Sequence, residues 1–228
     1  QYDTARRHLL PLARKGNTEA QYLMGVIYSH AKGNLRDYQK AAYWYDKAAE
    51  KGVKEAQFNL GFMLYQGAGE SGSSSSVAQD YAQSAKYLKL AADQGVPMAQ
   101  HLLSLLHMRG QGVQANMYEA LRYASSAADN GVQESMFNAG MISVRRPGAT
   151  MQDYINAYKW FTILSWQGYP CQEPSPDKIL DGSLWINPLY TYPATSSQPE
   201  NRRALSFQNF YLNAFNNTSG CHYYWKDG

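Results

Sequence analysis

Five histidines, two cysteines and one serine-rich stretch are the residues of this sequence best suited to chemistry, and their spacing argues against each obvious reaction. The histidines are His8, His30, His101, His107 and His222. None falls in an HExxH pattern, which would set two imidazoles one helical turn apart beside a glutamate base. His101 and His107 lie six residues apart, on different faces of a helix. The stretch GAGESGSSSS, beginning at Gly67, lacks the lysine of a phosphate-binding loop. Gly69-Glu70-Ser71-Gly72 approaches a nucleophile elbow, but Ser73 occupies the place of the second glycine and no strand precedes it. Catalysis needs an acid, base or nucleophile in mutual reach, and no such set nominates itself. The expectation is a protein that is not an enzyme, with no catalytic residue, no metal site and no cofactor.

Cys171 and Cys221 have no Cys-x-x-Cys spacing and make a poor metal site. Two readings stand: a disulfide closing the C-terminal tail, worth about 4 kcal/mol by loop entropy, or two separate buried thiols. The overlapping sequons at Asn216–Ser219 matter only in a host that glycosylates. The net charge of +3 is spread along the chain, with arginine pairs such as Arg6-Arg7 and Arg145-Arg146 isolated. Nucleic-acid binding needs a concentrated basic face, and none is expected here. No apolar run approaches the roughly 20 residues of a membrane helix. The chain opens on Gln1 rather than Met, which reads as a processed or trimmed start.

What the sequence does carry is an internal repeat. Gly16, Gly52, Gly95, Gly131 and Gly168 close similar segments at intervals of 36, 43, 36 and 37 residues. After each of the first four comes a matching block: EAQYLMG, EAQFNLG, MAQHLLS and ESMFNAG, with Gly25, Gly61, Ser104 and Gly140 in register. Further on, Trp44, Tyr87, Tyr123 and Trp160 form one column, and Ala41, Ser84, Ala120 and Ala157 another. Each unit reads as two amphipathic helices. In the first full repeat one helix is expected from Thr18 to His30, with Ala20, Met24 and Ile27 on an inward stripe. The second is expected from Asp37, a good N-cap, to Lys51, with Ala41, Trp44, Ala48 and Ala49 as its packing face. Gly25 is a poor helix former, and its column is expected to admit a neighbouring helix closely. The seven extra residues of the 43-residue interval fall in the Ser/Gly-rich stretch, expected to be a flexible surface loop.

A second stripe on each first helix is also apolar: Tyr22, Val26, Ser29; Phe58, Phe62, Tyr65; His101, Leu105, Met108; Phe137, Met141, Val144. At i, i+4, i+7 spacing these residues share a face. They are either a partner-binding groove rich in aromatics or ordinary contacts between repeats. The candidate binding residues are Tyr22, Phe58, Phe62, Tyr65, His101, Met108 and Phe137, with the middle repeats favoured. His101 in particular also suits a packing role.

The pattern resembles the SEL-one-like repeat family, relatives of the tetratricopeptide repeat. The resemblance rests on Ala56, Leu60, Gly61, the Gly67-x-Gly69 turn, Asp80, Leu90-Ala91-Ala92 and Gly95, and again on Ala99, Leu103 and Gly110-x-Gly112-Val113. The fourth repeat departs at RRPGATMQD, where the helix junction is expected to differ. The resemblance implies an all-α, right-handed α-solenoid of about four and a half helix-pair repeats over residues 1–168, whose concave face binds another protein. Residues 169–228 are expected to form an irregular, partly helical segment, with a helix from about Glu200 to Asn216, that either caps the solenoid or touches a partner. For function the resemblance implies a protein-binding module, most specifically an immunity protein that binds and inhibits a toxic effector of type VI secretion, with a phospholipase as one candidate target. An envelope scaffold or chaperone adaptor is the alternative. The cysteines and the trimmed start point to a periplasmic or otherwise exported bacterial protein.

Overall fold

Nine α-helices in sequence account for most of residues 2–69 and 74–167, the residues that the computed structural model describes. They are α1 (Tyr2–Arg14), α2 (Thr18–His30), α3 (Tyr38–Ala49), α4 (Lys54–Gln66), α5 (Tyr81–Asp93), α6 (Pro97–Arg109), α7 (Met117–Asp129), α8 (Gln133–Arg145) and α9 (Met151–Trp166). Among the described residues the only extended pairing is a bridge between Ala68 and Val77. The fold is the all-α repeat of the solenoid class. Contacts divide the chain into two units, Gln1–Tyr123 and Ala124–Gly228. The tail, with Cys171, Cys221 and the helix expected near 200–216, lies outside the described residues.

The corners are built identically. Gly16, Gly52, Gly95 and Gly131 all take φ between +81° and +90°. The residue after each donates its amide to the carbonyl five positions back: Asn17 to Leu12, Val53 to Ala48, Val96 to Ala91 and Val132 to Ala127, at 3.0 to 3.2 Å. This 6→1 bond is the Schellman closure, and it satisfies carbonyls that a helix end leaves without partners. Another such carbonyl is taken by a glutamine of the following helix. Gln21, Gln57 and Gln100 donate Nε2 to the carbonyls of Ala13, Ala49 and Ala92, at 3.1, 3.1 and 3.3 Å.

In the first unit α1 to α4 share one core, centred on Met24, Tyr45, Ala48 and Leu60, and α5 and α6 share another around Leu88, Leu103 and Leu106. The helix glycines set the spacing. A Cβ on Gly25 would strike the buried Tyr45 ring, and one on Gly61 would come within 2.9 Å of Leu88 Cγ. In the second unit a Cβ on Gly140 would come within 2.8 Å of the Phe161 ring. All three pairs occupy the same repeat register, so the missing side chain is what lets α2 meet α3, α4 meet α5, and α8 meet α9.

The described flanks of the serine-rich stretch, expected as part of a flexible surface loop, are tied down by backbone hydrogen bonds. Ala68 and Val77 exchange both backbone hydrogen bonds, and the Ser75 carbonyl accepts from the amides of Tyr38 and Gln39 at 3.0 and 3.2 Å. Lys40 donates its amide to Asp37 Oδ1 and Ala41 to the Asp37 carbonyl. All four first-turn amides of α3 are therefore satisfied, two of them by a loop from the next repeat.

The fourth junction does differ. α9 starts at Met151, two residues before Asp153, whereas α3 and α5 start just after the aspartate of the same register. Asp153 sits in the first turn and reaches back to Thr150: the Thr150 amide donates to Asp153 Oδ2 at 2.7 Å, and the Asp153 amide faces Thr150 Oγ1 at 3.4 Å. That reciprocal pair is a capping box. Arg146 adds a 2.7 Å ion pair to the same carboxylate oxygen.

Candidate functional site

The outward stripe divides between surface and packing once the helices are placed. On α4, Phe58 and Tyr65 are half-buried and Phe62 is 37% exposed, while Ala56, Leu60 and Met63 on the other side of the helix are buried. Phe58 and Phe62 stack with ring centroids 5.9 Å apart. Tyr65 stands edge-on to Tyr81 of α5 at 5.7 Å, and its hydroxyl accepts a 3.2 Å hydrogen bond from Arg109 at the end of α6. On α2, Tyr22 is half-buried and tilts against Tyr45 at 6.1 Å. On α6, Leu105 and Met108 are half-buried. α4 and α6 are in direct contact, so Phe58, Phe62, Tyr65, Leu105 and Met108 belong to neighbouring helices of one unit.

His101 departs from the groove. At 9% exposed it is packed into the wall rather than offered to a partner, unlike Tyr22 and Phe58 in the same column. Phe137 lies in the second unit, half-buried, its ring edge-on to Phe161 at 5.8 Å. Its role there is visibly one of packing α8 on α9.

Two features had no counterpart in the sequence reading. Arg109 fixes the Tyr65 hydroxyl; the sequence shows a lone basic residue before a glycine turn and nothing of its reach. The second is a shallow cleft of about 420 Å³ among α5, α6 and the start of α7, walled by Lys86, Lys89, Arg122 and Tyr123. One of its wall residues differs in type from its repeat counterpart. On α3 the equivalent of Lys89 is Asp46, which accepts the Tyr87 hydroxyl and ties α3 to α5. Burial first, then the Asp46 carboxylate, pushes the Tyr87 phenol up to about 12. With lysine in that register no such tie forms, but the cations are already matched: Lys89 pairs with Asp93 and Arg122 with Glu119, each at 2.6 Å. The Glu119 carboxylate accordingly lies below its ordinary range, chiefly through Arg122.

A hydroxyl and an imidazole do approach each other at Ser29 Oγ and His30 Nδ1, 2.7 Å apart. Ser29 also contacts the Val26 carbonyl at 3.1 Å and the Tyr45 hydroxyl at 3.0 Å. Acyl transfer would need amide donors aimed at a developing oxyanion. Ser29 and His30 lie in the last turn of α2, where the outstanding backbone groups are carbonyls, of the wrong polarity for that task. Among the described residues no group of three or more His, Cys, Asp or Glu is placed to hold a metal, and no helix is long and apolar enough to cross a membrane.

Tandem helix pairs, glycine corners and a half-exposed aromatic face define a repeat protein of the kind that binds other proteins. Residues 18–53, 54–96, 97–132 and 133–165 each match the model of the Sel1 repeat, and the chain belongs to the Sel1 repeat family. Among solved structures, a Sel1 repeat protein from Oxalobacter formigenes is 25% identical, with a TM-score of 0.62 over 93% of this chain and 79% of that one. The protective antigen c5321 of uropathogenic Escherichia coli, which displays an SLR fold, is 31% identical with a TM-score of 0.63, over 74% of this chain but 34% of its own. The Arabidopsis thaliana protein HRD3A, an ERAD-associated E3 ubiquitin-protein ligase component, is 40% identical over 58 residues, which is 25% of this chain and 9% of that protein.

Proposed function

We propose that this chain is a non-catalytic module that docks another protein on the aromatic face of α4 and the adjoining face of α6, and that it serves as an immunity protein, binding and blocking a toxic bacterial effector. The observation that carries the docking surface is the Phe58–Phe62 stack beside Tyr65, aromatics held in the middle of the first unit with an edge in solvent. Aromatic residues on a rigid, partly dehydrated surface are the commonest source of binding energy at interfaces. Phe62→Asp and Tyr65→Asp should each weaken capture of the native partner about 30-fold, the equivalent of about 2 kcal/mol. Titration against the partner co-purified with the wild-type chain reads this directly, and unchanged affinity in both variants would move the binding surface elsewhere. A candidate effector that keeps full activity beside excess chain would end the immunity reading while leaving the docking surface standing.

An assembly scaffold is the second reading, favoured by the likeness of one repeat and a half to a ubiquitin-ligase component. It requires two partners bound at once, which a ternary co-purification distinguishes from a one-to-one inhibitor. We propose a periplasmic or otherwise exported location, a reading that requires Cys171 and Cys221 to be bridged rather than two separate thiols. Thiol titration of the unfolded chain without reductant should find no free cysteine. Two reactive thiols would remove the argument for an oxidising compartment.

A further inference from the structure

α9 presents an apolar stripe that its repeat counterparts do not have. Aligned on the recurring Asp37, Asp80, Asn116 and Asp153, four registers along the second helix of each repeat can be compared. They read Gln39, Ala42 and Asp46 on α3 with Glu50 at its C-cap; Ala82, Ala85, Lys89 and Asp93 on α5; Tyr118, Leu121, Ser125 and Asp129 on α7. On α9 they read Ile155, Tyr158, Thr162 and Trp166. The last register is the clearest, with a carboxylate three times and then a tryptophan. Ile155 and Tyr158 are each 44% exposed and Trp166 is 84% exposed. Spaced i, i+3, i+7, i+11, these four lie along one face for about 16 Å.

The first unit shows what such a face meets. Asp46, in the Thr162 register, receives the Tyr87 hydroxyl from α5, the second helix of the next repeat. This is the side of the helix against which a following helix lies. The last of the four matched repeats ends at residue 165, so none of those four follows α9 to cover it. Single exposed hydrophobics are ordinary, but a contiguous row on a repeat array's last helix is the surface that a capping element conceals.

We infer that the α9 face formed by Ile155, Tyr158 and Trp166 is the seat of the chain's own segment 200–216. Three observations favour that occupant over a separate molecule. The chain leaves α9 at Trp166, at one end of the stripe. The intervening residues 168–199 give up to roughly 100 Å of reach, ample to double back. The segment itself carries Phe207, Phe210, Tyr211 and Ala214 at i, i+3, i+4, i+7, an apolar row that as a helix of about 25 Å would match α9 in length. Each row supplies what the other needs to leave water. This inference is independent of which partner the α4 face binds.

The test uses the full chain. With Tyr158→p-benzoylphenylalanine, irradiation should give an intrachain cross-link that mass spectrometry maps to residues 200–216, at monomer mass. A cross-link to a second copy, doubling the mass, overturns the assignment, and so does the absence of any adduct within that segment. In parallel, Ile155→Asp with Trp166→Asp should speed tryptic cleavage at Arg202 and Arg203 by on the order of tenfold. Both residues are exposed, so helicity by circular dichroism should be unchanged, and Tyr43→Asp, also exposed but on α3, should leave cleavage at its original rate. Equal cleavage in the wild type and the double variant would show that the face covers nothing.

Discussion

Gly61→Val is expected to destabilise the first unit by about 3 kcal/mol, the upper part of the range for forcing methyl groups into a packed contact. A Cβ there meets Leu88 Cγ at 2.9 Å and the Leu88 backbone amide nitrogen at 3.1 Å, so relief requires α4 and α5 to separate. Separation would also strain the 2.7 Å hydrogen bond that Ser84 donates to the Gly61 carbonyl. The gain in helix propensity on losing a glycine, well under 1 kcal/mol for valine, does not offset this. Urea unfolding reads the loss as a midpoint lower by about 1.5 M for a slope near 2 kcal/mol/M. A double-mutant cycle identifies the cause. Leu88→Ala alone should cost about 3 kcal/mol as a cavity. Combined with Gly61→Ala it should cost at least 1 kcal/mol less than the two changes summed, because the new methyl enters the vacated space. Strict additivity would mean that the column's glycines serve something other than close approach.

Asp153→Ala should destabilise the second unit by about 3 kcal/mol, at the lower end of what breaking a buried ion pair costs. The aspartate is buried, and its Oδ2 accepts from Arg146, the Thr150 amide and the Thr150 hydroxyl at 2.7, 2.7 and 2.6 Å. Burial by itself would raise its pKa. The hydrogen bonds from Arg146 and Thr150 outweigh burial and hold it below the ordinary value of 3.8. A carboxylate whose pKa is depressed by folding contributes stability above its unfolded pKa and loses it as pH falls through the folded one. The difference between wild type and variant should therefore be flat from pH 7 to about 5 and shrink below about 4. A difference that grew on acidification would contradict the pairing.

Much of this architecture was legible in the residues because repetition exposes it. The helix over Thr18–His30 was readable in the residues, as were Asp37 as a cap and the described glycine corners, since each signal recurs from repeat to repeat and each has a local cause. What escaped was long-range or carried by the backbone. The glutamines at 21, 57 and 100 recur plainly, yet nothing in their spacing says that each seeks a carbonyl eight residues upstream, across a corner. The Ser/Gly-rich composition predicts a flexible loop, but the contact that holds residue 75 is a carbonyl, to which composition is blind. The candidate site was legible as a stripe and no further. Phe62 is exposed and His101 buried because neighbouring helices cover one and not the other, and periodicity along a single helix cannot rank its members by what lies opposite.

The carbonyl of Ser75 seated on the start of α3 has a consequence for how the array comes apart. In a tandem array each module's persistence depends on its own worth and on the coupling to its neighbour, so terminal modules ordinarily fray first. Here a strap from the second module closes the polar groups at the start of the first module's second helix. Melting that strap exposes amides in its neighbour, and melting the neighbour strands the strap. The first two modules are thus expected to open as one cooperative block, and the proposed docking face on α4, the first helix of the second module, is kept out of the fraying zone.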